Sequence, residues 1–124
     1  MTDEVKCDEI RLVEEFLETA FNSIFSSSLY TVLDYHVRRI AGTSLAKLIL
    51  EKPRVVFRAL TMIMNEDKYA VGLLERTLEK HIEQVLKRPV GEELFEAIVN
   101  DDAERVKQIL IRLAREYMAK VRSV

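Results

Sequence analysis

Carboxylates dominate the groups in this chain that could do chemistry, and several recur four residues apart: Glu14 and Glu18, Glu75 and Glu79, Glu92 and Glu96. On a helix that spacing puts both members of a pair on one face. Such pairs hold di-metal centres in helical bundles when Glu-x-x-His motifs join them, and none occurs here. The pairs therefore read as solvated faces, with no metal and no cofactor expected. The histidines are His36 and His81. His36 stands beside Asp34 and Tyr35, but residues two apart do not share a helix face, so it is expected to be a part-buried, hydrogen-bonded packing residue rather than a polarised base. His81, next to Ile82, reads as a boundary residue of a long helix. Cys7 and Ser26 to Ser28 have no neighbouring base to activate them, and no phosphate-cradling glycine loop is present. No catalytic residue is assigned, and an enzyme is not expected.

Two other groups of residues suggest binding. Between His36 and Leu60 the chain carries Arg38, Arg39, Lys47, Lys52, Arg54 and Arg58 against Glu51 alone. Arg38, Arg39, Lys52, Arg54 and Arg58 lie at helix ends and starts, where cations and free backbone N–H groups favour a phosphate, a nucleic-acid backbone or an acidic protein. The blander expectation is that they cap helices or pair with the acidic N-terminal helix. Met62 and Met64 flank Ile63 and cannot both share its face, so at least one is expected at the surface, where methionine suits adaptable apolar contact. Tyr30, Tyr69 and Tyr117 are weaker candidates for the same role. An apolar ligand held among Phe16, Phe21, Phe25, Phe57 and Leu74 is a further alternative.

The elements that must position these residues are all helical. The apolar residues Val13, Phe16, Leu17, Ala20, Phe21, Ile24 and Phe25 recur at spacings of three and four and form one stripe. Ser26 to Ser28 suggests a break, and a second helix carries Leu29, Val32, Leu33, His36, Val37 and Ile40 until Gly42 stops it. Thr43 is expected to cap a short helix with Leu45, Leu48 and Ile49. Pro53 fits the first position of the next, which buries Val55, Val56, Ala59, Leu60 and Ile63. Asn65 is the expected start of a long helix burying Ala70, Leu73, Leu74, Leu78, Ile82 and Val85 and ended by Pro89. Beyond Gly91, a hairpin turns at Asn100-Asp101-Asp102, with Phe95, Ile98 and Val99 facing Val106, Ile109, Leu110, Leu113 and Tyr117. Part of it resembles the helix pair of one ankyrin repeat, but a solenoid needs several stacked units, so an ordinary hairpin is expected. The fold class is a single all-α domain over residues 1–124: a multi-helix bundle over 8–88 and a C-terminal helical hairpin over 91–122.

Composition agrees. A chain of 124 residues with 48% hydrophobic and 32% charged residues suits one globular core and is too charged for a membrane span. The acidic N-terminus is unlike a signal peptide, and the single Cys7 forms no internal disulfide, so a cytoplasmic location is expected. Lys, Arg, Asp and Glu far outnumber Asn and Gln, the bias of proteins from hot habitats. A net charge of −2 favours neither nucleic acid nor acidic lipid.

Leu33-Asp34-Tyr35-His36-Val37, then Leu48-Ile49-Leu50-Glu51-Lys52-Pro53, then Phe57, Leu60 and Ile63, and finally Ala70-Val71-Gly72-Leu73-Leu74-Glu75 with Ile82, resemble the small helical output domain of archaeal signalling proteins, the Nitrosopumilus output class. The resemblance covers about half of the chain, residues 21–82. It departs at Met64-Asn65, where the family has a Phe-Gly pair, and it stops short of the hairpin. It implies a non-catalytic regulatory or protein-interaction module that works through association. The expected partner is therefore a protein, including a second copy of this chain as a homodimer built on the first-helix stripe and the Met62–Met64 region. Nucleic acid ranks below it.

Overall fold

The computed structural model describes residues 7–25 and 28–122, without the side chains of Phe95 and Val99. The expected break at Ser26-Ser27 and the expected contacts of Phe95 and Val99 thus lie outside the described residues. The protein is all-α: α1 (Cys7–Ile24), α2 (Leu29–Ala41), α3 (Leu45–Glu51), α4 (Pro53–Ile63), α5 (Lys68–Leu86), α6 (Gly91–Val99) and α7 (Ala103–Arg122). Among the described residues there is no strand.

The α1 stripe is buried as its spacing predicts, with Val13, Phe16, Leu17, Ala20 and Phe21 in the core. Its partner is α7, which buries eight residues from Val106 to Met118 and also packs on α3, α5 and α6. Phe16 meets Tyr117 edge to face at 5.2 Å, a geometry that aromatic quadrupoles favour. The pairs Glu9–Lys107 and Glu15–Arg122, at 4.0 and 2.8 Å, show that α1 and α7 run in the same direction. The C-terminal hairpin therefore reaches the centre of the core through α7.

Several helix ends differ from the sequence expectation for local reasons. Gly42 does close α2 in a left-handed conformation, at φ 74°. Ser44, not Thr43, caps α3, its hydroxyl accepting from the Lys47 N–H. Asn65 ends α4 instead of starting α5. It adopts φ 57°, and the Glu66 and Asn65 N–H groups donate to the Thr61 and Met62 carbonyls, a stop that favours Gly or Asn at the left-handed position. Asp67 is the cap of α5, accepting from the Ala70 N–H at 3.1 Å. Asp101 repeats the α4 stop between α6 and α7, with Asp102 capping α7 through the Arg105 N–H.

On α2 the buried residues are Tyr30, Leu33 and Val37, while Val32 and Ile40, expected inside, are exposed. Burying Tyr30 against Phe21, with ring centroids 5.7 Å apart, turns those two aliphatics outward. Leu73 is likewise 50% exposed rather than buried, because α5 presents Val71, Leu74, Leu78 and Ile82 to the interior.

Candidate ligand cavity

Where α4 and α5 close over the rest of the helices, large side chains meet without filling the space. The result is an apolar cavity of about 120 Å³. All seven helices contribute to its wall: Phe16, Leu17 and Phe21 from α1, Leu33 from α2, Ile49 from α3, Phe57 and Leu60 from α4, Val71, Leu74 and Leu78 from α5, Ile98 from α6 and Leu113 from α7. Of the five residues that the sequence suggested for an apolar ligand, Phe16, Phe21, Phe57 and Leu74 line it. Phe25 does not and instead packs on Phe21 at 5.6 Å.

Glu75 and Glu79 of α5 also border the cavity, through their hydrocarbon stems, since its surface is almost wholly apolar. These residues were expected on a solvated face. They are instead half-buried, and they line both the apolar cavity and a wider outer cleft that includes Lys68, Arg76, Glu83 and Glu92. Glu75 is pushed up to about 7, first by burial, then by the charge of Glu79 and a hydrogen bond shared with it, with Arg76 pulling the other way. Glu79 is also raised by burial and by Glu83, but the bond from Glu75 opposes the rise. Glu79 rests against the first residue of α6, where a Cβ on Gly91 would come within 2.5 Å of its Oε2. Glu83 is fixed differently, accepting from the Val90 N–H at 2.9 Å. The i, i+4 spacing showed that Glu75 and Glu79 share a face. Which face was not readable from it, because Arg76, Lys80 and Glu83 surround them with charge.

The basic residues behave less uniformly than their clustering suggests. Arg38 pairs with Asp34 on its own helix at 2.9 Å, and the other Asp34 oxygen accepts from the Leu45 N–H, tying α2 to α3. Arg39 is exposed over the Tyr35 ring at 5.9 Å. Lys52, Arg54 and Arg58 are exposed, with no carboxylate partner among the described residues. The acidic α1 makes its ion pairs with α7, so the expected pairing of α1 with the basic segment is not what forms.

Met62 is 56% exposed and Met64 half-buried, in line with their incompatible faces. Met62 and Gly72 share a shallow pocket, and Tyr69 and Leu73, exposed by 74% and 50%, flank that glycine on α5. The aromatic stripe of α1, expected to supply dimer surface, is consumed by its own core.

His81 is half-buried beside buried Ile82, as a boundary residue of α5 is expected to be: one ring nitrogen lies 2.7 Å from the Tyr117 hydroxyl, and burial lowers its basicity. His36 is half-buried and meets the Tyr35 ring edge to face. Tyr30 is buried, its hydroxyl without a hydrogen-bond partner among the described residues and pushed up by burial and by Asp34. Cys7 is exposed. Among the described residues no cluster of His, Cys, Asp and Glu could hold a metal ion, and no helix is long and apolar enough to cross a membrane.

No family model and no solved structure matches the chain. It is similar to an uncharacterised protein of Archaeoglobus fulgidus, 28% identical over 85 residues that cover 66% of this chain and 69% of that one.

Proposed function

We propose that the protein is a non-catalytic regulatory module that senses a small apolar molecule held in the cavity. The observation that carries this reading is the hydrocarbon-walled space itself. Folded interiors are close-packed, and a void of this size forfeits dispersion contacts along its whole lining. At about 120 Å³ it is close in scale to the roughly 150 Å³ apolar cavity that stays dry and takes up benzene. The non-catalytic part rests on where the reactive groups are spent. His81 is bound to Tyr117, and Asp34 is bound to Arg38 and to the Leu45 N–H.

The test is titration with toluene, followed by amide chemical shifts and thermal stability. Saturable one-to-one uptake, with shifts concentrated on α4 and α5 and lost in Leu74→Phe, is the expected result. Absence of saturable uptake in the wild-type protein would end the reading.

A second reading concerns output, and the exposure of Met62, Tyr69 and Leu73 beside Gly72 favours it. Apolar side chains grouped on one outer face suit association with another protein, a second copy included. Light scattering over a hundredfold concentration range is expected to show a dimer that Met62→Lys weakens. A monomer throughout would remove the homodimer. Nucleic acid ranks below both readings, because Arg38 is already paired with Asp34 and the net charge of the chain is −2.

A further inference from the structure

We infer that the cavity is entered through the seam between α4 and α5, and that the Phe57 ring is the door which a small hydrocarbon must pass. The inference rests on the cavity being a ligand site and names the residues that control access to it.

The wall comes first. Phe57 and Val71 line both the buried cavity and the shallow outer pocket that Met62 and Gly72 share, so these two side chains stand between the hydrocarbon interior and that pocket. They differ in freedom. Val71 is buried and β-branched, hence stiff at χ1, whereas the Phe57 ring is half-buried and hangs from an unbranched Cβ. A ring that swings outward opens the wall without moving a helix.

The space for that swing comes second. A Cβ built on Gly72 would have nothing within 4 Å, so the surface of α5 in the outer pocket is bare. Glycine in a helix interior is unfavourable, and no neighbour within the chain requires its small size here. An outward Phe57 ring is what the gap accommodates.

The seam itself comes third. Among the described residues no side-chain hydrogen bond or ion pair joins α4 to α5, and the Thr61 hydroxyl is turned back on its own helix, donating to the Phe57 carbonyl at 2.8 Å. The other outer cleft that borders the cavity, between α5 and α6, is tied shut. There Glu83 accepts from the Val90 N–H at 2.9 Å, and Glu79 rests against Gly91. The wall at Phe57 and Val71 is hydrocarbon, whereas a molecule crossing between α5 and α6 would have to pass the Glu75 and Glu79 carboxylates.

The experiment follows toluene exchange by NMR line shapes and relaxation dispersion, with affinity from calorimetric titration, in the wild type and three variants. Phe57→Leu shortens the door and should raise the association and dissociation rates on the order of tenfold. Gly72→Leu fills the space into which the ring swings and should lower both rates by about as much. Gly72 does not line the cavity, so toluene affinity in that variant should stay within about twofold of wild type, a kinetic effect without an equilibrium one. Glu92→Trp crowds only the cleft between α5 and α6 and should leave the rates unchanged. Gly72→Leu places a helix-favouring residue in open space, so the test stands even if Phe57→Leu fails to fold. Rates that fail to rise in Phe57→Leu or to fall in Gly72→Leu, or that fall in Glu92→Trp, would overturn the Phe57 door and leave the cavity reading intact. No saturable uptake of toluene by the wild type would overturn both.

Discussion

The two sides of this molecule are built to different standards. On the α1–α7 side, Tyr117 is held between Phe16 and His81. Phe16 meets Tyr117 edge to face, the Tyr117 hydroxyl is hydrogen-bonded to His81, and Val13, Val106 and Ala114 are wholly buried around them. On the α4–α5 side, the helices barely touch, the turn between them holds two non-glycine residues at positive φ, and the space beneath is unfilled. Large apolar side chains occur on both sides, so hydrophobicity is not the difference. What differs is whether facing side chains interlock. Regions of low packing are where a fold can take in a ligand, because opening them costs little.

The largest expected contrast comes from deleting one large side chain on each side. Tyr117→Ala removes a fully buried ring from the interlocked side, together with its hydrogen bond to His81, and is expected to cost about 3–5 kcal/mol in denaturant unfolding. Leu74→Ala removes a half-buried side chain that already borders empty space, so its loss is expected at about 2 kcal/mol or less. Equal losses would mean that the two sides are packed alike.

Enlarging a side chain should reverse the sign of the contrast. Ala114→Leu forces extra atoms into the contact of α7 with its neighbours and is expected to destabilise by about 1–3 kcal/mol. Val71→Leu extends into the cavity and is expected to range from neutral to stabilising by about 1 kcal/mol. A matching loss at Val71 would show that the cavity wall cannot accept even one methylene.

Acidity probes the cavity edge. The folded value of Glu75, about 7, lies above its ordinary 4.5, so the fold prefers the protonated acid. Its contribution is fully present below pH 4.5 and is lost as pH rises through 7. Glu75→Gln keeps the shape without the titration, so the variant should overtake the wild type as pH rises. The advantage at pH 8 is expected to be about 1–2 kcal/mol, the full shift being discounted because the side chain is half exposed. Unfolding midpoints measured from pH 4 to 8 that run parallel for the two proteins would contradict a protonated Glu75.

How much of this was legible in the sequence divides along the same line. Helix number and the α1 stripe were readable because period-3.6 burial is written in residue type, as with Val13, Phe16, Leu17 and Phe21. Gly42 and Pro53 were readable because each has few alternative conformations. Asn65 was misread because an Asx residue serves equally at a helix start and at a left-handed stop. The outcome depended on Asp67, two residues on, providing a cap of its own. Val32, Ile40 and Leu73 were misplaced because their helices carry more apolar residues than one buried face can hold. The cavity edge was hidden for a different reason: nothing about Glu75 and Glu79 in sequence separates them from Glu83, and it takes the approach of Gly91 from another helix to set them apart. Sequence periodicity reports the amount of apolar surface on a helix, whereas a void depends on how surfaces from seven helices fail to meet.

The smallest expected effect tests the turn that joins the two cavity-covering helices. Asn65 and Glu66 sit at φ 57° and 62°. Asn tolerates this conformation through its short polar side chain, but for Glu the Cβ crowds the backbone at a cost of about 1–2 kcal/mol. Glycine has no such crowding, yet it loses about 0.5–1 kcal/mol more to backbone entropy on folding. The balance for Glu66→Gly is a stabilisation of about 0.5–1 kcal/mol, seen as a raised unfolding midpoint with unchanged denaturant dependence. Asn65→Gly should be close to neutral. If the strain belongs to this turn, then Glu66→Gly should also slow amide exchange in α4 and α5 while leaving α1 and α7 unaltered, since exchange reports the local opening that a better turn suppresses. A uniform slowing across all four helices would show that the α4–α5 side opens only with the whole molecule, and the contrast between the two sides would fail.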